Sequence, residues 1–156
     1  METNDKVISV LNDLIRINND RVEGYEKAAT EIKETADAEI KSVFYTMAEE
    51  SRGFISNLRD AVIRLGGEPA TDTTASGKVY RVWMDVKATF SGDDTTAALK
   101  SCEFGEDAAL RSYKEALKEN VAWPVGISSL IENQRELLQA SHDRIKRYRD
   151  EYVAAH

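Results

Sequence analysis

The sequence predicts an all-α protein: a four-helix bundle of two antiparallel helical hairpins, joined by a long crossover that contains a short helix. Three observations predict this fold. Helix-forming residues are abundant and only two prolines occur, a composition that favours helix. Apolar residues recur at spacings of three and four over four long stretches, as they do along the buried face of a helix. A segment rich in glycine, threonine and serine separates the second stretch from the third.

The first two stretches predict the first hairpin. We expect one helix over about 5–33 and a second over about 37–65. Thr35 and Asp37 can accept hydrogen bonds from the free amides at the start of the second helix. The glycine pair that begins at Gly66 is a strong signal for its end, because glycine readily adopts the left-handed conformation that terminates helices.

The crossover, residues 66–93, is long enough to run the length of the bundle and carries a short amphipathic helix. We expect Trp83 to anchor that helix to the bundle; a dimer contact is the alternative. The second hairpin is predicted over about 94–119 and 124–153, and Pro124 breaks the chain between its helices.

Composition and charge exclude several classes of function. The net charge is -7, and the 21 basic residues are interleaved with 28 acidic ones, so we expect no nucleic-acid partner. No signal peptide or membrane-spanning stretch is evident, and membrane association is not expected. Cys102 is the only cysteine, so an internal disulfide is excluded. We therefore expect residues 1–156 to form a single cytoplasmic domain.

A weak internal repeat relates the two hairpins. The segment "NNDRVEGYEKA" (18–28) aligns with "EDAALRSYKEA" (106–116), so that Tyr25 matches Tyr113 and the first helix matches the third. Both tyrosines lie on inward faces, where the usual role is packing with the hydroxyl bonded across the bundle. A radical or redox role is the alternative.

The hairpin turns select one layer of the bundle. Residues at one level of an antiparallel pair have numbers with a constant sum, which places Asn18 beside Ser51 and Glu106 beside Gln139. One turn further along the second and fourth helices lie Phe54 and His142.

Four segments carry a resemblance to a known family. They are "LNDLIRINNDRVEGYEKA", "SGKVYRVWMDVKA", "CEFGEDAALRSYKEAL" and "ASHDRIKRYRD". Together they resemble an uncharacterised bacterial family of ferritin-like bundles, a domain family of unknown function, over nearly the whole chain. More distantly, the chain is similar to the rubrerythrin and ferritin superfamily.

That wider superfamily implies a di-iron centre. The first and third helices each supply one glutamate, and the second and fourth helices each supply a Glu-x-x-His pair. In this sequence the corresponding residues are Asn18, Ser51, Phe54, Glu106, Gln139 and His142. Two of the six expected ligands are kept, the glutamate of the third helix and the histidine of the fourth. The di-iron site is therefore degenerate, because two divalent ions need several carboxylates.

Two interpretations of the remaining polar residues stay open. Glu106, His142 and Gln139 could form a weak mononuclear metal site, or a polar core layer with Asn18 and Ser51 in which Glu106 is coupled to His142. A shifted metal site would recruit other carboxylates, of which the candidates are Glu26, Glu50 and Glu103.

The sequence favours a protein of unknown biological role that is structural or mediates interactions, without enzymatic activity. No catalytic residue and no resident cofactor are expected, and a homodimer is one form the protein could take. The alternative is an iron- or manganese-binding oxidoreductase or metal-handling protein. Cys102 is expected to behave as a small core hydrophobe.

Overall fold

The computed structural model describes residues 2–32, 38–89 and 95–155, and all regular secondary structure in these ranges is helical. The helices are α1 Glu2–Glu31, α2 Ala38–Arg64, α3 Gly77–Thr89, α4 Thr95–Leu117 and α5 Ile127–Ala155. Some predicted features, the capping residues Thr35 and Asp37, the last residues of the crossover and the start of the third long helix at 94, lie outside the described residues.

The four long helices form the two predicted antiparallel hairpins. Helix α1 packs mainly on α2, and α4 packs mainly on α5. The antiparallel sense of the first hairpin is visible in two contacts: Asn18 bonds Ser51, and Arg21, one turn later, bonds the carbonyl of Met47. The hairpins join through contacts of α1 with α4 and of α2 with α5.

The predicted glycine stop ends α2. Gly66 has φ of +84°, a left-handed conformation that costs little only for glycine. The amide of Gly67 donates to the carbonyl of Val62 at 2.9 Å, so the turn satisfies one of the carbonyls that a helix end leaves free. The chain then leaves the helix axis and enters the crossover.

Polar side chains of α1 hold the extended part of the crossover. Arg16 Nε donates to Asp72 Oδ1 at 2.8 Å. One turn later, the buried side chain of Asp20 accepts hydrogen bonds from the backbone amide and the hydroxyl of Thr74. These bonds fix the path by which the chain returns to the start of α3.

Trp83 anchors the crossover helix, as the sequence predicts. Its side chain is fully buried in a notch between α1 and α4 made by Gly24 and Gly105. A Cβ atom at Gly24 would lie 2.3 Å from Trp83 Cε3, and a Cβ atom at Gly105 would lie 2.6 Å from Trp83 Cζ2. Only glycine at both positions leaves room for the indole ring in this pose.

The buried apolar residues form two clusters, one towards each end of the bundle. One contains Leu11, Leu58 and Ile131, and the other contains Phe44, Trp83 and Leu99. Buried polar side chains lie between the two clusters and form the candidate site described below. Across the described part of the chain, no helix combines the length and apolar character that a membrane span requires.

The Trp83 notch makes a prediction about stability. We expect Gly105→Ala to lower the free energy of unfolding by about 1–3 kcal/mol, because the added methyl group forces the buried indole to move. Gly53→Ala is the matched control: it lies within α2, and a Cβ there meets nothing within 4 Å. It should leave stability unchanged or raise it by up to about 1 kcal/mol. Urea denaturation of both variants tests this. Equal changes in the free energy of unfolding would contradict a tight fit of Trp83 against Gly105.

Candidate functional site

The centre of the bundle is a buried ion pair between α1 and α4. Arg21 Nε lies 2.6 Å from Glu106 Oε1, and Arg21 Nη2 lies 3.3 Å from Oε2. Both side chains are completely buried. The guanidinium therefore addresses both carboxylate oxygens, a charge-assisted geometry that is stronger than a neutral hydrogen bond.

Helix α2 completes the surroundings of the arginine. Arg21 Nη1 donates to Ser51 Oγ at 2.9 Å and to the carbonyl of Met47 at 3.3 Å. Arg21 Nη2 lies 2.9 Å from Glu50 Oε1, whose side chain is 23% exposed. Ser141 Oγ of α5 donates to the same Glu50 oxygen at 2.8 Å. The single cation thus joins α1, α2 and α4, and Glu50 extends the contacts to α5.

Tyr25 supports the carboxylate from the other side. Its hydroxyl donates to Glu106 Oε1 at 2.6 Å, and the Arg21 guanidinium carbon lies 5.4 Å from the centroid of its ring. Burial raises the pKa of the Tyr25 phenol well above its usual value, and the negative charge of Glu106 adds to this effect. Burial likewise raises the pKa of the Cys102 thiol. Both groups therefore stay protonated and neutral at neutral pH.

A second chain of hydrogen bonds adjoins the ion pair and crosses all four long helices. Ser51 Oγ donates to Asn18 Oδ1, and Asn18 Nδ2 donates to Tyr113 Oη, both at 2.8 Å. Tyr113 Oη donates to Gln134 Oε1 at 2.7 Å, and Gln134 Nε2 donates to the carbonyl of Phe54 at 3.1 Å. Every side chain in this series of hydrogen bonds has a partner, which is the condition under which a buried polar layer is tolerated.

The structure brings three of the predicted site residues together and leaves two outside. Asn18, Ser51 and Glu106 lie within the network described above. Gln139 instead bonds Asp143 near the surface. His142 Nε2 lies 2.6 Å from Asp107 Oδ1, and its Nδ1 lies 3.0 Å from Asp143 Oδ1. The pairing found for Glu106, with Arg21 and Tyr25, therefore differs from the expected pairing with His142.

The inward face of α5 explains this difference. Leu138 and Ile145 are fully buried and define that face, and Gln139 lies about 100° round the helix from Leu138. Gln134 and Ser141 fall on the buried face and supply its polar contacts to the layer. The constant-sum register assumes a symmetric turn between α4 and α5. It places Gln139 beside Glu106, and it does not predict the observed hydrogen bond between Tyr113 and Gln134.

The three carboxylates considered for a shifted metal site are all paired with arginines. Glu50 lies against Arg21, as described. Glu26 is paired with Arg52, and Glu103 is paired with Arg149. Each carboxylate therefore already has a cation as its partner.

The residues of the central layer do not fit two divalent ions. Glu106 is the carboxylate of the expected ligand set, and the Arg21 guanidinium lies against both of its oxygens. A metal ion there would meet a like charge held in place by the fold. At four of the other sequence positions stand two amides, a hydroxyl and a phenyl ring, which supply no charge. The fifth is His142, whose ring is paired with Asp107 outside the layer. Among the described residues, no group of three or more His, Cys, Asp and Glu side chains is arranged to hold a metal ion.

The sequence interpretation missed Gln134 and, at the centre of the site, Arg21. A signal for it exists: Arg21 lies three residues after Asn18 and four before Tyr25, so it shares their inward face. In the internal repeat its counterpart is Ala109, a buried residue of α4 that leaves space in the core. The charge of an arginine normally argues against a core position, which is why periodicity alone did not select it.

Comparison with known proteins places the chain in a family. A profile described as a domain of unknown function (DUF2383) matches residues 6–119. The chain belongs to this family. The matched segment contains α1 from residue 6 onward and all of α2, α3 and α4, and with them Arg21, Tyr25, Ser51 and Glu106. No curated protein matches the sequence.

The DUF2383 chain is also similar in structure to a solved ferritin-like protein. That protein is described as a dodecameric thioferritin, a bacterioferritin-related protein from Bacteroides fragilis. The TM-score is 0.69 at 17% sequence identity, over 97% of this chain and 86% of that chain. The architecture is therefore all-α and ferritin-like, and at this identity the likeness concerns the fold alone.

A double-mutant cycle tests the central ion pair of the DUF2383 protein. We expect Arg21→Met alone to lower the free energy of unfolding by about 3–5 kcal/mol, because it leaves a buried carboxylate without its counter-charge. Adding Glu106→Gln should recover most of that loss, since it removes the uncompensated charge. Urea denaturation at neutral pH gives both values.

The surface pair of Arg52 with Glu26 and Glu49 provides the control for this cycle. All three side chains are at least 40% exposed, so Arg52→Met should change stability by no more than about 1 kcal/mol. Additive losses in the Arg21 and Glu106 variants would contradict a coupled pair at the centre.

Proposed function

We propose that this DUF2383 protein is a metal-free ferritin-like bundle that acts as a structural or interaction protein and not as an enzyme. The observation that carries the proposal is the Arg21–Glu106 pair, with 2.6 Å between Nε and Oε1 and both side chains completely buried. In this arrangement a guanidinium supplies the positive charge that metal ions supply at the centre of di-iron bundles. We further propose that residues 1–156 act as one domain in the cytoplasm.

The Arg21 guanidinium supports this proposal because it already occupies the position at Glu106 that a metal ion would need. A metal ion could use Glu106 only after the guanidinium had withdrawn from it, and the arginine also bonds Ser51 and the Met47 carbonyl. The withdrawn cation would have to lose these bonds and find others inside a packed core. The Glu106 carboxylate is also not free to act as a base, because its oxygens already accept hydrogen bonds from Arg21 and Tyr25.

The rival function is metal-dependent oxidoreductase or metal-handling activity at a shifted site. That rival requires Glu26, Glu50 or Glu103 to exchange its arginine for a metal ion, with or without Gln139 and His142. It therefore predicts metal in the purified protein, which the proposal does not.

Elemental mass spectrometry decides between the two functions. Protein purified without chelator or added metal should contain far less than one iron or manganese ion per chain and should be fully folded by circular dichroism. His142→Ala and Glu106→Gln serve as paired variants, and neither should change the metal content. Stoichiometric iron or manganese in the unaltered protein would overturn the proposal in favour of the rival. Loss of that metal in either variant would assign it to the Glu106 and His142 positions, and its retention in both would assign it to a shifted site.

We also propose that the bundle associates with copies of itself. Ferritin-like domains offer long helix faces for such contacts, and the structurally similar thioferritin is described as dodecameric. Large apolar side chains are exposed on three of the long helices, for example Ile63, Phe104 and Leu137, and their burial would favour assembly.

Sedimentation velocity across a concentration series tests this association. We expect a species larger than the monomer that persists on dilution into the low-micromolar range. Phe104 is 65% exposed, so Phe104→Ser should leave the fold intact in any association state. A monomer at all concentrations would rule out self-association without affecting the proposed metal-free core.

A further inference from the structure

The crossover helix leaves part of the groove between α1 and α4 open. Trp83 occupies the groove where Gly24 and Gly105 face each other. Beyond Val79, near the start of α3, the groove continues as an open cavity of about 510 Å³. This volume falls within the range of small-molecule sites in proteins.

The floor of this cavity is apolar. Leu14 and Ile17 of α1 and Ala108 and Ala116 of α4 line it, and all four are almost completely buried. The two alanines create the space, because larger side chains there would fill the groove. The crossover closes one side of the cavity at Ser76. An apolar group placed on this floor would lose contact with water, which favours its binding.

Most of the charged residues around the cavity are already paired. Arg16 lies 3.1 Å from Asp13, and its Nε also bonds Asp72 outside the cavity. Glu119 lies 3.5 Å from Lys6. These pairs leave little net charge on the α1 side of the cavity.

Two lining residues of opposite charge remain on α4. Arg111 and Glu115 both line the cavity, and neither side chain has an ionic or hydrogen-bond partner among the described residues. They are one helical turn apart, with Cβ atoms about 5–6 Å from each other. A small head group that carries both charges can contact both side chains at once.

We propose that this open part of the groove binds a small zwitterion of the α-amino acid class with an apolar side chain. The ligand carboxylate accepts hydrogen bonds from the Arg111 guanidinium, and the ligand ammonium donates to the Glu115 carboxylate. The apolar side chain lies on the floor at Leu14 and Ile17. A ligand with one charge would leave one of the two residues unpaired beside it and would bind less tightly.

Calorimetric titration with L-phenylalanine tests the ligand class. We expect saturable binding of one molecule per chain. The singly charged analogues 2-phenylethylamine and 3-phenylpropionate should each bind at least about tenfold more weakly, because each lacks one charge-assisted contact. No binding at concentrations on the order of 10 mM would overturn the proposal, and so would an analogue that binds as tightly as the amino acid.

Variants locate the site. Arg111 and Glu115 are exposed, so Arg111→Gln and Glu115→Gln should remain folded, and each should weaken binding at least about tenfold. Arg59→Gln, an exposed position on α2, is the matched control and should bind like the unaltered protein. Binding that survives both α4 substitutions, or that falls equally in the control, would overturn the assignment. None of these outcomes depends on the metal content of the core.

Discussion

The buried pair of Arg21 and Glu106 is the interaction on which the centre of this bundle depends. Two charges removed from water are costly unless each finds its full set of partners. The surrounding residues supply them: Tyr25 bonds the carboxylate, and Ser51 bonds the guanidinium. The remaining guanidinium nitrogen faces Glu50 at the edge of the core, so the cation is matched by carboxylates on two helices.

This centre is the physical basis of the proposed metal-free core. In a di-iron bundle, inward carboxylates from four helices are held together by two external cations. Here the cation is part of the chain, and in the proposed metal-free core one arginine with one fully buried glutamate takes the place of that arrangement. Amides and hydroxyls suffice for the rest of the layer, because Asn18, Tyr113 and Gln134 need hydrogen bonds but no counter-charge. We expect the layer to fix the register of the helices, as specific buried polar contacts do in other bundles.

Apolar periodicity predicted the fold well because the segments that favour helix formation also carry apolar residues along one buried helix face. The four long helices, the crossover and the Trp83 anchor follow from spacing and from the Gly66 stop. The pairing of Asn18 with Ser51 also follows, since it agrees with the constant-sum register expected of the first hairpin. The position of Gln139 could not be predicted from a turn centre, because the face of α5 is set by Leu138 and Ile145. Arg21 was missed because a buried charge is recognised only when its partners are known.

An experimental crystal structure with diffraction data collected at the iron and manganese absorption edges is the most direct test of this account. We predict planar guanidinium density within hydrogen-bond distance of both Glu106 oxygens, and no anomalous peak in the central layer. An anomalous peak beside Glu106, with the Arg21 side chain turned away from it, would contradict the account.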